Sequence, residues 1–482
     1  MPVAYALGLS ALIGAWWIDI PFQALMIQVA GGVNKFSLLA IPFFVLAGAI
    51  MAEGGMSRRL VAFAGVLVGF VRGGLSLVNI MASTFFGAIS GSSVADTASV
   101  GSVLIPEMEK KGYPREFSTA VTVSGSVQAI LIPPSHNAVI YSLAAGGSVS
   151  IAALFLAGVL PGLLLGLTLA TMCLVIARRK NYPKGDVIPL RQALKICADA
   201  LWGLMTMVII LGGILSGVFT ATESASVAVV WAFLVTMFVY RDYKWRELPK
   251  LVHRTVKTLS IVMILIAFAA SFGYIMTLMQ IPLQITTALT ALSDNRYVIL
   301  ALINLLLLVL GTLMDMAPLI LILTPILLPV IKSIGVDPVH FGMIMMVNLG
   351  IGLITPPVGG VLFVGAAVAK LPMEQVVKAL TLGANSWGVI LRVALPQALP
   401  RLFEGLRLSL GPAWVFLISA EAIAADVGLG YRIFLVRRYL AMDVIIPYVI
   451  WIDRYLKDQR DGAWHFGAMI SGQTYRNNRP NA

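Results

Sequence analysis

The sequence predicts an all-α polytopic membrane protein built on a long repeat, with two re-entrant hairpins and two broken helices. Three observations carry that prediction. First, 59% of the 482 residues are hydrophobic and only 12% are charged, about half the charge fraction of soluble domains, and the mean hydropathy is +0.92. Second, apolar stretches of bilayer length, roughly 20 residues, recur along the chain. Third, two of these stretches carry a double proline: Ile130-Leu131-Ile132-Pro133-Pro134-Ser135-His136-Asn137 and Gly352-Leu353-Ile354-Thr355-Pro356-Pro357-Val358-Gly359. Proline removes an amide donor and clashes with the preceding turn, so a helix breaks there. In a bilayer the freed backbone groups need protein or a wet cavity beside them.

The two breaks are related. Pro133 to Pro356 is a step of 223 residues (356 − 133), and the same step carries Pro106 to Pro329 and Gly112 to Gly335. Pro114 and Pro338 fall one residue out of step. A long-period repeat with paired interrupted helices points to the substrate or ion site of a transporter. The plainer alternative is a pair of structural kinks.

The net charge of +12 does not imply nucleic acid, because the basic residues gather in the connections between apolar runs, as in cytoplasmic loops of membrane proteins. Cys173 and Cys197 have neither metal-ligand spacing nor the pattern of a disulfide framework, and the four histidines are scattered. No nucleophile–base pair or metal cluster lies within the broken segments, which argues against an enzyme, and no cofactor is expected.

In chain order, Pro2 to Trp17 is short for a span and reads as the later part of a first helix. Met1 runs into Pro2-Val3-Ala4-Tyr5 with no basic region ahead, so no cleavable signal peptide is expected. Ile18 to Lys35 is mixed and reads as interfacial. Phe36 to Met51 is an apolar helix interrupted by Pro42. A loop with Arg58 and Arg59 leads to a helix from Leu60 to Val71, broken by Arg72-Gly73-Gly74. Met81 to Val103 centres on Ser90-Gly91-Ser92-Ser93-Val94-Ala95-Asp96-Thr97. It is too polar to face lipid and fits a re-entrant hairpin whose tip is buried in protein. Hydroxyls and exposed carbonyls at such a tip suit a small cation, and helix N-termini there favour an anionic group. The alternative is a small-residue packing face, which would not require Asp96.

Pro106 to Arg115 reads as a charged loop, and Phe117 to Ala145 carries the first break. Ile151 to Ala177 is an unbroken span with Pro161 inside it. The most basic connection follows, with Arg178, Arg179, Lys180, Lys184, Arg191 and Lys195, and is placed in the cytoplasm. Leu201 to Tyr240 holds two spans around Thr220-Ala221-Thr222-Glu223-Ser224. Glu223 is either an ionisable group at membrane depth or a helix cap just outside the lipid. After the basic loop Arg241 to Lys257 come Leu259 to Leu278, Ile281 to Leu292 and Tyr297 to Leu310. Gly311 to Pro318 opens the second re-entrant candidate, reaching Pro329. Asp315 has apolar neighbours and no basic residue near it in sequence; it either contacts a cation or caps a helix. Phe341 to Val368 carries Asn348 and the second break, with Met343, Met345 and Met346 read as packing. At the first break, His136 could donate to a substrate carboxylate or serve as a structural partner.

These stretches resemble the large membrane subunit of the tripartite ATP-independent periplasmic (TRAP) transporters. The resemblance is carried by Leu38-Leu39-Ala40-Ile41-Pro42-Phe43-Phe44 with Ala47-Gly48, Ser90 to Thr97, and Ile132 to Ser135. In the second half it is carried by Thr222-Glu223, Gly311 with Asp315, Leu323-Thr324-Pro325, Asn348-Leu349-Gly350 and Thr355 to Gly359. It covers about residues 1–379 and implies an elevator-type transporter of the bacterial inner membrane with two inverted repeats. Sodium would be the coupling ion and an organic anion of carboxylate class the substrate. A periplasmic substrate-binding protein and a small membrane subunit would be the partners, within the lipid bilayer. By analogy Ser90, Gly91, Ser92 and Ser93 would line one sodium site with the first break. Gly311, Thr312, Asp315, Thr355, Pro356 and Gly359 would line the other. The candidate substrate-binding residues are Pro134, Ser135, His136, Asn137, Asp96 and Asn348. His136 and Asn137 depart from the commonest residues after the first double proline, which bears on substrate choice.

Beyond Ala379 the TRAP pattern stops, and one further expected membrane helix is not recognisable. Thr381-Leu382-Gly383-Ala384-Asn385-Ser386-Trp387, Val393-Ala394-Leu395-Pro396, Gly405-Leu406-Arg407, Ala420-Glu421 and Gly428-Leu429-Gly430-Tyr431 resemble the C-terminal part of an ABC importer permease of the nitrate, sulfonate and taurine type. The expected organisation is a TRAP-like core over 1–379, an ABC-permease-like fragment over 380–452 and a polar tail over 453–482. This leaves two alternatives: a permease component working with an ABC ATPase, or a non-transporting hybrid of two transporter fragments.

Overall fold

The computed structural model describes residues 3–380 apart from Asp186 and Asp294. Among these residues the regular structure is helical, with one isolated bridge between Arg72 and Lys184. The expected ABC-like fragment and polar tail lie outside the described residues.

The first repeat runs α1 (Val3–Trp17), α2 (Phe22–Val33), a 3-10 turn over Phe36–Leu39 leading into α3 (Ala40–Glu53), and α4 (Met56–Val68). The hairpin α5 (Gly74–Ser90) and α6 (Ser93–Lys110) follows, then the broken helix: α7 (Arg115–Ser126), its short continuation α8 (Gln128–Leu131), and α9 (His136–Ala144). Two long helices, α10 (Ile151–Arg179) and α11 (Leu190–Leu215), connect the halves. The second repeat runs α12 (Ala221–Leu234), prolonged by a π-helical turn to Tyr240, then α13 (Leu248–Leu278) and α14 (Ile281–Leu292). Its hairpin is α15 (Arg296–Leu313) and α16 (Met316–Ser333), its broken helix α17 (Pro338–Leu353) and α18 (Gly360–Ala369), and α19 (Met373–Leu380) follows. Seven helical segments among the described residues are long and apolar enough to cross a membrane.

The step read from the prolines is the register of the fold. Ser90 and Leu313, which end α5 and α15, are 223 residues apart, as are the starts of α6 and α16 and the starts of α7 and α17. The one-residue slip of Pro114 against Pro338 has a local cause. Pro338 is the first helical residue of α17, whereas Pro114 caps α7 from outside it; both sites tolerate a missing amide hydrogen. The halves pack crosswise: α6 lies on α18 and α16 on α9, while α3 lies on α12 and α1 and α2 on α13. Val127 and Gly350 are related by the same step and touch, since a methyl on Gly350 would lie 2.9 Å from Val127 Cγ1. Residues related by a twofold operation meet only near its axis, so the pseudo-twofold axis runs where the two broken helices cross, just before their breaks.

α10 seats the first break. Cβ atoms on Gly158, Gly162 and Gly166 would lie 2.2 Å from the Leu131 carbonyl, 2.7 Å from Ile132 Cγ1 and 2.4 Å from Gln128 Oε1. Glycine every fourth residue is a small-residue groove, the usual device for close helix approach in membranes.

Several local expectations are corrected. Pro42 does not interrupt its helix; it lies in the first turn of α3, where its missing amide hydrogen costs little. Pro106 lies inside α6, and the loop expected from Pro106 begins only after Lys110. The hairpin expected to reach Pro329 runs on to Ser333, with Pro329 inside α16. Leu104, Ile105, Met108, Leu327 and Val330 around them are buried, and this packing outweighs the lost hydrogen bond. The run from Tyr297 to Leu310 is the first arm of the second hairpin rather than a helix preceding it.

The α12–α13 connection is tied to α3 and α4 by ion pairs. Arg59 Nη1 donates to Asp242 Oδ2 at 2.5 Å and its guanidinium lies 3.7 Å from the centre of the Tyr240 ring. Glu53 accepts from Arg254 and, at 2.9 Å, from the Tyr243 hydroxyl.

Candidate ion and substrate site

In each repeat the hairpin tip lies against that repeat's break. In the first, Gly91 turns the chain between α5 and α6 with φ of 59°. A methyl there would lie 2.5 Å from the Pro134 carbonyl and 3.3 Å from the His136 amide nitrogen. Only glycine combines that conformation with that approach. In the second, the Val358 amide donates to the Thr312 carbonyl at 3.0 Å, joining tip to break directly. One turn back, a methyl on Gly352 would lie 2.5–2.7 Å from Gly311 backbone atoms, so α15 and α17 touch main chain to main chain. Both Pro-Pro peptide bonds, Pro133–Pro134 and Pro356–Pro357, are cis.

This arrangement gathers helix ends of both kinds. The carbonyl ends of α5 and α8, and of α15 and α17, meet at the tips, as do the amide ends of α6 and α9, and of α16 and α18. Carbonyl ends attract cations and amide ends attract anions.

The serines at the first tip have distinct places. Ser90 is buried and its hydroxyl accepts from the Ser92 amide at 3.4 Å. Ser92 caps α6, its hydroxyl accepting from the Ala95 amide at 3.4 Å. The Ser93 and Ser126 hydroxyls are 2.7 Å apart, linking α6 to α7. Asp315 stands 223 residues after Ser92 and is the corresponding cap residue of α16, but its carboxylate makes no capping bond. The helix-cap alternative for Asp315 is therefore not the one used. Thr355 Oγ1 donates to the Ile351 carbonyl at 2.7 Å. At Gly359, where φ is 55°, the Thr355 and Leu353 carbonyl oxygens lie 3.1 and 3.2 Å from the position of an added methyl. Pro356 stands in the break between them.

The first break also holds polar atoms without partners. Ser135 precedes α9 and His136 begins it; Ser135 Oγ and His136 Nδ1 are buried and unbonded. The His136 amide nitrogen lies 3.3 Å from the position of a methyl on Gly91, which places His136 beside the first tip. Asn137 is buried beside it. Orphaned buried groups are rare in folded proteins, and a ligand site is one reason for them.

The remaining residues lie farther back. Asp96 is 0% exposed in the first turn of α6, with both carboxylate oxygens unpaired. Ser83 on α5 is its neighbour, although the two form no hydrogen bond of ordinary geometry. Asn348 Nδ2 donates to Asn304 Oδ1 at 2.5 Å and to the Ile344 carbonyl at 2.9 Å, so its amide is used within the second repeat. Glu223 is a cap: it forms a reciprocal capping box with Thr220 at the exposed start of α12. Sequence reasoning missed Thr84, Gln128, Asn304 and Ser126. Gln128 and Asn304 were findable as amides inside apolar runs.

The family model of the tripartite ATP-independent periplasmic transporter DctM component matches residues 1–395. The chain belongs to that family. As a TRAP large permease subunit it is an integral inner-membrane transport protein, not an enzyme. The match runs past Ala379, where the TRAP pattern was expected to stop. A protein of Salmonella typhimurium named YgiK is 46% identical over 383 residues, covering 79% of this chain and 88% of the relative. The C4-dicarboxylate TRAP transporter large permease protein DctM of Pseudomonas aeruginosa is 44% identical, covering 77% of this chain and 86% of the relative. The 2,3-diketo-L-gulonate TRAP transporter large permease protein YiaN of Escherichia coli is 38% identical, covering 78% and 89%. Among solved structures, the YdaH transporter of Alcanivorax borkumensis shares the fold with a TM-score of 0.53 at 13% identity, over 77% of this chain and 85% of that one. MtrF of Neisseria gonorrhoeae does so with a TM-score of 0.51 at 14% identity, over 75% and 80%.

Proposed function

We propose that this TRAP permease imports an organic anion of carboxylate class, driven by sodium entering at the two hairpin tips. The observation that carries the reading is the junction of each tip with its own break, Gly91 against Pro134 and Thr312 against Val358. Sodium would sit among the carbonyl ends: Ser90, Gly91, Ser92 and Ser93 in the first repeat, and Gly311, Thr312, Asp315, Thr355, Pro356 and Gly359 in the second. The substrate carboxylate would take the amide end of α9, with Pro134, Ser135, His136 and Asn137 around it and the unbonded Ser135 Oγ and His136 Nδ1 as its polar contacts. Relatives are named for C4-dicarboxylates, 2,3-diketo-L-gulonate and sialic acid, which carry a carboxylate, and another for isethionate, a sulfonate; all are organic anions.

The mechanism is alternating access without covalent chemistry or a cofactor. The hairpins and broken helices move as one body against a scaffold, and inverted repeats give that body two equivalent extremes. A periplasmic binding protein delivers the substrate and a small membrane subunit completes the scaffold. Residues 396–452, beyond the TRAP match, are passenger sequence in this reading. The TRAP match through 395 favours it over coupling to an ATPase.

The test is the melting temperature of the purified chain in sodium and in potassium at matched ionic strength. A ligand bound only by the folded state raises it by mass action. The expected result is a sodium-specific rise that Ser92→Ala and Asp315→Ala each reduce, with matching loss of sodium-driven uptake. Equal melting in both salts would overturn the sodium reading.

A further inference from the structure

We infer that two polar clamps, Asn304 with Asn348 and Thr84 with Gln128, fix each hairpin on its broken helix and so set the sodium affinity of the tips. The inference rests on the sodium reading above. In the second repeat the Asn348 amide donates to Asn304 Oδ1 at 2.5 Å and back to the Ile344 carbonyl at 2.9 Å. In the first, Thr84 Oγ1 donates to Gln128 Oε1 at 2.8 Å, and the Gln128 amide donates back to the Gly125 carbonyl at 3.2 Å. The plan is the same twice. A carboxamide on the first half of the broken helix folds onto its own helix and meets a polar side chain on the first hairpin arm.

Both pairs span 44 residues, yet they are not copies of each other. The step of 223 takes Thr84 to Leu307 and Gln128 to Ile351, so the second clamp sits three residues, one helical turn, earlier on both helices. The joint recurs although the side chains do not, which is the mark of a geometric requirement. Its position says what the requirement is. Thr84 lies seven residues before Gly91 and Gln128 seven before Ser135; Asn304 lies seven before Gly311 and Asn348 seven before Thr355. Seven residues are two helical turns, so along α15 and α17 the clamp and the tip contacts share one face.

Along that seam the helices touch through small residues, Gly87 against Ala129 and Gly311 against Gly352. Apolar contact of this kind resists separation but has little preference for one register, whereas a hydrogen bond is directional. α15 is otherwise lined with exposed leucines, including Leu302, Leu305 and Leu306. An asparagine there is costly unless it is paired. A slip of α15 along α17 would carry the Thr312 carbonyl off the Val358 amide and open the second tip. Asn304 and Thr84 touch neither ion nor substrate; they are positioning residues.

The experiment measures sodium-dependent uptake by the full chain in proteoliposomes, with its partner subunits, across sodium concentrations. Melting in potassium is measured alongside. Asn304→Leu keeps side-chain volume and removes the acceptor; Thr84→Val keeps shape and removes the donor. Each is expected to raise the half-saturating sodium concentration about five- to tenfold, the weight of one hydrogen bond, with the maximal rate at saturating sodium retained. Asn304→Gln, which keeps the carbonyl, is expected to return most of the wild-type sodium dependence. A lower melting temperature in potassium with unchanged half-saturation would show ordinary packing and overturn the inference. So would Leu and Gln variants that behave alike. A wild type without sodium dependence would overturn the sodium reading and this inference with it. A sodium-dependent wild type with indifferent Leu and Val variants would overturn this inference alone.

Discussion

Replacing Gly352 with alanine drives a methyl group into the backbone of α15. The added carbon would lie 2.5 Å from the Gly311 carbonyl carbon, 2.6 Å from its Cα and 2.7 Å from its oxygen. Ordinary contact begins at 3.4 Å, so α15 and α17 must part by roughly 0.9 Å there. No side chain can rotate away, because the obstructing atoms are main chain. Overpacking of this kind costs about 1–3 kcal/mol, and the rigid obstacle puts Gly352→Ala at the upper end. The separation falls beside the Thr312–Val358 hydrogen bond, so sodium stabilisation should suffer beyond the fold itself. The assay is thermal unfolding in potassium and in sodium. The expected result is a drop of several degrees in potassium and a smaller sodium increment than wild type. Gly311→Ala is the graded control, because its methyl would meet Gly352 Cα at 3.3 Å and needs a shift of only a few tenths of an ångström. Gly352→Ala melting within about 1 °C of wild type, or no worse than Gly311→Ala, would refute the close approach of the two helices.

Gly91→Ala combines a left-handed backbone with a methyl 2.5 Å from the Pro134 carbonyl, and should abolish sodium-driven uptake while leaving a cooperative melt. Thr220→Ala removes the capping box of α12 and should cost about 1 kcal/mol of stability with no change in sodium dependence, seen as equal shifts of melting in both salts. Arg59→Met removes the ion pair to Asp242, whose side chains are 24% and 42% exposed. Its loss should cost at most about 1 kcal/mol, and that difference should shrink further when unfolding is repeated in high salt.

The sequence read by itself determined the membrane class, the repeat and the stretches that form the tips and breaks. Those properties are local or periodic. Apolar composition sets the solvent, a double proline breaks a helix wherever it lies, and a fixed step between prolines survives into the helix boundaries from Ser90 to Ser333. Glu223 could be read two ways, since a carboxylate after Thr220 suits either membrane depth or a capping box; the exposed start of α12 decided for the cap. Asp315 was equally ambiguous, and only the coordinates show that its carboxylate caps nothing.

What the tertiary structure alone decided were relations between distant segments. Prolines at 106 and 329 were expected to bound helical segments, but the packing of neighbouring buried side chains carries the helices through them. The crossing of the broken helices at Val127 and Gly350, the groove of three glycines on α10 and the pairing of Asn304 with Asn348 all join residues far apart in sequence. A residue's propensity and its neighbours in sequence hold no record of such contacts. They follow from which helix faces meet once the chain is packed, and that is decided by the fit of all the helices together.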